Sequence, residues 1–248
     1  MSPSLVLHSE GLRRASSVAL SCLALVSSCT ATPEDIEGED RGVFSPRLRA
    51  SLPLGDASDE DPLELELELA NDSGDFTQAL EPFEFVQLDD LRIDGPGEVE
   101  TEFSLSTAFL GLHRRIDMDG GLAFGWAAGV EVTHLDIEVS SGALRESDVH
   151  DALGPRFALE LAFEMREDLE VFARDAFFFG TNDTYHTVLD LGASWQAHPS
   201  FGLIAGWHFG YLEDDVDSGG RSRIELRSSG PFVTLAFSLP RRGRAEPP

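Results

Sequence analysis

The sequence predicts an all-β protein, a closed antiparallel up-and-down β-barrel of eight strands, with ten strands as the alternative. From Leu63 onward apolar residues alternate with polar or small residues, and no helical period of useful length interrupts this pattern. Short connections alternate with longer or more polar ones, as in a barrel whose tight turns share one end. The short connections are 116–120, 166–168 and 197–200, and the longer ones are 140–153, 180–184 and 214–222.

Composition excludes one large class of function. The chain has 248 residues and a formal net charge of −27, and its 18 basic residues are all arginine. Nucleic-acid recognition needs a basic surface, so we do not expect a nucleic-acid partner.

Residues 1–28 are typical of an export signal. Arg13 and Arg14 precede an apolar stretch at 15–26 that is too short to span a membrane as a helix. The stretch ends in VSSC, which resembles the lipobox of bacterial lipoprotein signals. That resemblance implies cleavage before Cys29 and lipidation of this cysteine, whereas an ordinary signal peptide is the alternative. The other cysteine, Cys22, lies inside the segment that is removed, so no disulfide is expected in the mature chain.

Residues 29–62 are acidic and rich in Pro and Ser, which predicts a linker with a single candidate strand at 47–54. The barrel is predicted over 63–239 and a short tail over 240–248. A further candidate strand, FEFVQLDDLRI, lies between the first two segments of the barrel and accounts for the alternative count of ten. The eight main strand segments are 63–69, 99–115, 121–139, 154–165, 168–179, 185–197, 200–213 and 223–239.

The segment FGLIAGWHFGY at 201–211 indicates which face of the strands points outward. Its odd positions carry large apolar residues, whereas most of its even positions carry glycine. A soluble barrel would turn the glycine face to water, where glycine adds no solubility and weakens the strand. A membrane barrel turns the large residues to lipid and the small ones to a narrow lumen. The segment therefore favours a transmembrane barrel.

The other strands support this orientation. The more apolar faces of six strand segments carry no charged residue, as expected where a charge facing lipid costs ~2–4 kcal/mol. The opposite faces carry small or polar residues. Asp175 interrupts the apolar face of its strand, and either a bulge or an early exit from the membrane is expected there.

In these features the chain resembles the small outer-membrane β-barrels of the OmpA and OmpX kind over roughly 63–239. GPFVTLAFSL at 230–239 is similar to the terminal strand that signals assembly, although it continues into PRRGRAEPP. The resemblance implies an outer-membrane location, with membrane lipids and the barrel-assembly machinery as partners. An even number of strands would place both ends of the barrel on the periplasmic side, where a lipidated Cys29 is expected.

The register around two tight turns predicts a lumenal network. Extrapolation from AHPS places His208 opposite Asp190, with His186 nearby, and extrapolation from RED places Glu160 opposite Arg174 as an ion pair. A His–Asp pair is half of a general-base arrangement, but no nucleophile is predicted beside it. We therefore expect a structural hydrogen-bond network and no catalytic residue.

The acidic segments DMDGG at 117–121 and DDVDSGG at 214–220 lack the full oxygen spacing of a calcium loop. No cofactor or specific metal site is expected, only loose binding of divalent cations. The expected function is a non-enzymatic outer-membrane barrel without a solute pore, with an envelope-structural, surface-recognition or adhesive role. The alternatives are a lipid-anchored soluble barrel that binds an apolar ligand and a lipid-modifying barrel enzyme.

Overall fold

The structure, a computed structural model, places every described residue in one compact unit that spans Glu34–Pro248. The signal segment, Cys29 and the tail at 240–248 lie outside the described residues. The residues that the structure describes are 36–37, 43–54, 63–82, 84–88, 91–181, 183–215 and 223–238.

Twelve β-strands make up the described part of the chain, in agreement with the predicted all-β class. Within the described ranges, no helix has the length and apolar character needed to cross a membrane. The strands are β1 (Ile36–Glu37), β2 (Ser45–Leu54), β3 (Leu63–Leu80), β4 (Phe85–Leu88), β5 (Leu91–Asp94), β6 (Gly97–Met118), β7 (Leu122–Ser141), β8 (Leu144–Arg166), β9 (Leu169–Phe179), β10 (Tyr185–His198), β11 (Phe201–Asp215) and β12 (Arg223–Ser238).

Nine of these strands pair into a closed sheet, which we call the ring. The order is β2, β3, β6, β7, β8, β9, β10, β11 and β12, and each strand is antiparallel to the next. The ring closes through β12 and β2, which run parallel, with Phe232 opposite Ser45 and Ser238 opposite Ser51. The short strand β1 adds a second parallel pairing to β12.

The strand count and closure differ from the predicted eight or ten antiparallel strands. The segment predicted as a linker contributes β2 to the ring, where Leu48 and Leu52 point outward and Arg47 and Arg49 point inward. The segment FEFVQLDDLRI instead forms β4 and β5, a separate two-stranded hairpin. The ring therefore consists of the eight main predicted strands and β2, nine strands in total, and the hairpin adds none.

The odd number of strands also separates the two ends of the ring. Leu54 lies opposite Leu63, close to the tight turn between β6 and β7, whereas Ser45 lies far from that turn. We call the end with the tight turns the turn end and the other the long-strand end. The chain enters β2 from the long-strand end and leaves β12 at the turn end. The expectation that the start and the end of the barrel lie on the same side is therefore wrong.

The predicted loop at 140–153 is also wrong, because β7 and β8 continue through it to a two-residue turn at Gly142 and Ala143. Gly142 has φ of 61°, a conformation that glycine adopts readily. Four strands, β3, β6, β7 and β8, therefore extend well beyond the ends of β9 and β10. We call this extension the upper section, which comprises 71–80, 97–107, 133–141 and 144–152.

Large apolar side chains cover the outer face of the ring and are exposed. Leu110 is 53% exposed, Val130 52%, Phe157 51% and Leu191 44%. We call this surface the apolar band, and alternation along each strand places small or polar residues behind it. The band comprises Leu48, Leu52, Leu65, Leu67, Leu69, Leu110, Leu112, Leu122, Val130, Val132, Leu153, Phe157, Leu159, Leu161, Phe163, Val171, Phe179, Leu189, Leu191, Trp195, Trp207, Phe209, Leu235 and Phe237.

The pattern reverses in the upper section without a change in register. On β7, Leu135, Ile137 and Val139 point inward and are buried, whereas His134 and Asp136 point outward. The inward residues pack with the β4–β5 hairpin and with the ends of β11 and β12 in one apolar core. Above the band, the fold therefore has the polarity of a water-soluble β-protein.

Asp175 lies on the outer face of β9, in continuous register with both neighbouring strands. The irregularity in β8 and β9 falls between Glu164 and Arg166, close to the turn end. The expected bulge at Asp175 is therefore absent, and the carboxyl group lies within the apolar band.

The parallel closure can be tested with paired cysteines. Leu48 on β2 and Leu235 on β12 are direct partners, so a Leu48→Cys/Leu235→Cys variant in a Cys29→Ala background should form a disulfide on mild oxidation. The measurement is a mobility shift on a non-reducing gel.

The control pairs Leu48→Cys with Leu203→Cys, which lies opposite Leu235 on the next strand. Two strand spacings separate those positions by roughly 9.5 Å, too far for a disulfide. Cross-linking of the control pair, or of neither pair, would contradict the closure.

Candidate functional site

The interior of the ring beside the apolar band, up to Asp72 at the lower edge of the upper section, carries a set of buried charged side chains, which we call the inner network. They come from β2, β3, β7, β8, β9, β10 and β11, so strands from all around the ring contribute. Its members are Arg47, Arg49, Glu66, Glu68, Asp72, Glu131, Arg156, Glu160, Arg174, His186, Asp190 and His208.

Two arginines bind three glutamates at the centre of this network. Arg174 donates from Nη1 to Glu68 Oε2 at 2.7 Å and from Nη2 to Glu66 Oε1 at 2.8 Å. Arg156 donates from Nη1 to Glu131 Oε2 at 2.6 Å and from Nη2 to Glu68 Oε1 at 2.9 Å. Glu68 therefore bridges both guanidinium groups, which satisfies charges that would be costly to bury alone.

Arg49 extends the centre toward the turn end. Its Nη2 donates to Glu68 Oε2 at 3.2 Å, and its Nη1 lies 4.0 Å from Glu160 Oε2. His113 lies beyond it, with Nδ1 3.8 Å from Glu66 Oε2. The carboxylates of β3 thus receive arginines from three other strands.

A second cluster surrounds His208, whose side chain is fully buried. Arg47 donates from Nη1 to Asp190 Oδ2 in a close ion pair and from Nη2 to His208 Nδ1 at 2.7 Å. On the other side of the ring, His208 Nε2 lies 3.3 Å from Asp72 Oδ2 and 3.2 Å from Ser228 Oγ. The cluster brings an aspartate, a histidine and a serine together.

This arrangement has the residues of a catalytic triad but the wrong proton positions. His208 Nδ1 lies between the Arg47 guanidinium, which can only donate, and Asp190 Oδ1 at 3.3 Å, which can only accept. Its Nε2 faces the Asp72 carboxylate, to which this nitrogen must donate. A ring proton then lies on Nε2, where it points to the Asp72 carboxylate and to Ser228. A general base would need a free lone pair on Nε2 to take the proton of Ser228. The geometry is that of a buried hydrogen-bonded cluster.

The predicted register is confirmed at both turns, and one predicted contact is wrong. Asp190 lies opposite His208, and Glu160 lies opposite Arg174. The Arg174 guanidinium nevertheless crosses the ring to Glu66 and Glu68, because a long side chain that points inward meets the far strands there. Glu160 instead lies closest to Arg49.

The remaining predicted site residues occupy separate places. His186 is buried inside the ring, with Nδ1 3.7 Å from Glu131 Oε1. Cys29, the predicted lipidation site, lies outside the described residues.

Sequence reasoning missed most of the inner network. Glu66 and Glu68 are the inward positions of LELELEL, and Arg47 and Arg49 are those of PRLRA. Charges of opposite sign at every second position in two segments are a signal that could have paired them. The segment with the arginines lies between acidic, linker-like stretches, and these conceal the pairing.

A cavity of about 20 Å³ lies between the two clusters, which is room for one water molecule. Two of its lining carboxylates, Asp72 and Glu131, each have one buried oxygen without a hydrogen-bond partner, so a water molecule is the occupant that fits. Among the described residues, no group of three or more potential ligands could hold a metal ion.

Of the two acidic segments, 117–121 ends β6 and forms the turn to β7, whereas the described part of 214–220, Asp214 and Asp215, belongs to strand β11. Asp117 accepts a hydrogen bond from Arg115 Nε at 2.9 Å, and Gly120 and Gly121 have positive φ. Asp214 accepts from Thr184 Oγ1 at 2.6 Å. The rest of the second segment lies outside the described residues.

The outer surface just above the apolar band is polar. His134 lies 2.7 Å from Asp151 Oδ1, and this hydrogen bond raises the pKa of the imidazole above its usual value. Glu100, Glu102 and Glu138 continue the acidic surface toward the long-strand end.

No family model, curated protein or solved structure matches this chain. The site is therefore interpreted from its own geometry.

The inner network predicts which charge pairs are coupled. Arg174→Ala leaves Glu66 and Glu68 with unmatched buried charge and should lower the free energy of unfolding by ~3–5 kcal/mol, because breaking a buried pair leaves an isolated charge. A double-mutant cycle of Arg174→Met with Glu66→Gln, followed by denaturant unfolding in detergent, should give a clear coupling energy.

The matched control is the same cycle with Glu160→Gln, the cross-strand neighbour that Arg174 does not bind. That cycle should be close to additive. A large coupling between Arg174 and Glu160, with none to Glu66, would contradict the contacts described above.

Proposed function

We propose that the ring is a transmembrane β-barrel of a bacterial outer membrane, without enzymatic activity and without a solute pore. Its role on this proposal is envelope-structural, with surface recognition or adhesion through the upper section. The single observation that carries the proposal is the apolar band, where large side chains surround a charged interior.

The dimensions of the apolar band fit a bilayer. On β8 it runs from Leu153 to Phe163 and on β10 from Tyr185 to Trp195, about eleven residues in each case, and a tilted transmembrane strand needs ~9–11. Aromatic residues gather near its two edges, as in the aromatic girdles of membrane barrels. At the long-strand end Tyr185 contacts both Phe179 and Tyr211, and at the turn end Phe201 contacts Phe237.

The reversal of polarity above the band supports the same proposal. A strand that passes from lipid into water must exchange its apolar and polar faces, and β7 does so between Val132 and His134. A barrel surrounded by water along its whole length has no reason to make this exchange.

The interior argues against a pore and against an apolar ligand. Ion pairs fill the ring beside the apolar band, and the apolar core of the upper section closes the long-strand end. An apolar ligand would have to displace buried ion pairs without replacing them, which is unfavourable. The lipid-anchored soluble barrel that binds such a ligand is therefore the weaker alternative.

A lipid-modifying enzyme is also less well supported. Of the described residues, Ser228 is the one that lies beside His208 as a nucleophile would, but His208 Nε2 also faces the Asp72 carboxylate, and a nitrogen that donates to a carboxylate is not free to activate the serine.

The partners on this proposal are outer-membrane lipids around the apolar band and the barrel-assembly machinery, which would read the terminal strand β12. The outward carboxylates of the upper section, such as Glu100, Glu102 and Glu138, offer an acidic surface to an extracellular partner and to loosely bound divalent cations.

The membrane location is tested by two arginine substitutions on the outer face of β6. Leu110 lies in the apolar band, so Leu110→Arg should destabilise the inserted barrel by ~2–4 kcal/mol and reduce its yield in the outer membrane. Ser104 faces outward on the same strand above the band, so Ser104→Arg should be tolerated.

Heat-modifiable gel migration of the protein extracted from outer membranes measures the folded fraction of both variants. A ring surrounded by water would accept arginine at either of these outward positions. Equal tolerance of the two substitutions would therefore refute the membrane proposal.

The lipid anchor at Cys29 is tested separately. Cys29→Ala should abolish incorporation of labelled palmitate while the barrel still reaches the outer membrane, because the strands and not the lipid drive insertion. Cys22→Ala serves as the control and should keep the label. Loss of label with Cys22→Ala alone would indicate a different processing site.

A further inference from the structure

Asp175 is a carboxyl group in the middle of the apolar band. On its two sides it lies opposite Leu159 of β8 and Leu189 of β10, and its neighbours on the same face of β9 are Ala173 and Phe177. Leu159 lies close to the midpoint of the band on β8, which runs from Leu153 to Phe163. If the band faces lipid, as proposed above, Asp175 lies near the mid-plane of the bilayer.

Among the described residues, nothing binds this carboxyl group. The carboxylates of the inner network bind arginine or histidine, whereas Asp175 has no hydrogen bond and no ion pair within the described part of the chain. Its backbone lies in regular register, so no local distortion carries it to water. An ionisable group at mid-bilayer depth is expensive and is found paired, most often at a functional contact.

We infer that the face of the ring around Asp175 is a docking surface for another membrane-embedded protein, one that presents an arginine or lysine at mid-bilayer depth. The exposed leucines Leu159, Leu161, Leu189 and Leu191 surround the carboxyl group and would pack against that partner. A charge-assisted hydrogen bond in a dry contact is among the strongest available.

In a two-fold contact, a second copy of this chain does not offer the complementary charge. The sequence contains no lysine, and the described arginine that lies within the band on the outer face, Arg114 between Leu63 and Trp126, is three strands away from Asp175. A two-fold contact centred on β9 would bring the two Asp175 side chains together, and like charges repel in such a contact. Lipid headgroups carry cations, but they lie at the edges of the bilayer and not at this depth.

The inference rests on the proposed membrane location and is tested in membranes of cells that produce the full chain. A photo-cross-linking amino acid is placed at Leu189, beside Asp175, or at Leu67, which lies in the apolar band on β3. After illumination, the products are analysed by gel and by peptide mass spectrometry. The same experiment is repeated with Asp175→Leu and with the charge-conserving Asp175→Glu.

We expect an adduct to a different chain from the Leu189 position only, joined to an apolar segment that contains arginine or lysine. Asp175→Leu should weaken this adduct about tenfold or more, the loss that corresponds to one charge-assisted hydrogen bond. Asp175→Glu should retain it, and substitution of the partner's basic residue by leucine should weaken it to the same extent.

An adduct that is unchanged by Asp175→Leu, an adduct between two copies of this chain, or lipid adducts alone at Leu189 would each overturn the inference. Lipid adducts at Leu67 show that the apolar band is in the membrane whatever the outcome at Leu189. If neither position gives a lipid adduct and both react only with water-soluble molecules, the membrane proposal fails and this inference fails with it.

Discussion

Neutralisation of the arginines inside the ring is the interaction on which the rest of the structure depends. Glu68 of β3 receives Arg156 from β8, Arg174 from β9 and Arg49 from β2, so one carboxylate holds together strands that are far apart in the sequence. Buried guanidinium groups are costly unless each is matched. A one-residue slip of β3 would turn Glu66 and Glu68 outward and leucines inward, which would leave these arginines unpaired. The charges therefore select the register of the ring more strongly than its small interior residues can.

The second constraint is the polarity of the two faces of the sheet, which is exchanged along the strands. Below Thr133, β7 turns valine and tryptophan outward and places alanine, glycine and glutamate inside, whereas above it the order is inverted. Hydrogen-bond pairing with β6 and β8 continues through this point without a shift. The backbone thus forms a continuous sheet, and only the polarity of the side chains changes at Thr133. The same ring is therefore filled in two ways, by an apolar core above Thr133 and by ion pairs below it.

The period of two and the tight turns made the all-β class and two local registers predictable, because both depend on residues close in the sequence. The opposition of His208 and Asp190 follows from the AHPS turn alone. Closure of the ring and its ion pairs join residues more than a hundred positions apart, as in Arg174 and Glu66, and no local pattern sets those distances. The candidate strand at 47–54 is confirmed as β2, but its place in the ring could not be predicted, for a related reason. Its alternation of leucine and arginine is short and lies between acidic segments typical of a linker, so composition concealed the periodicity.

The odd strand count has a consequence for how the proposed barrel sits in its membrane. Because β2 and β12 run parallel, the chain enters the ring at the long-strand end and leaves it at the turn end. If the tight turns face the periplasm, β12 ends there, where assembly machinery can reach its last residues. The start of β2 then lies on the outer side, together with the acidic upper section, and β1 binds β12 on that side. Ion pairs and the apolar core fill the interior that the described residues enclose. On the proposed function, a partner would therefore meet the protein on its outer surfaces, either in water above the band or in the bilayer beside β9.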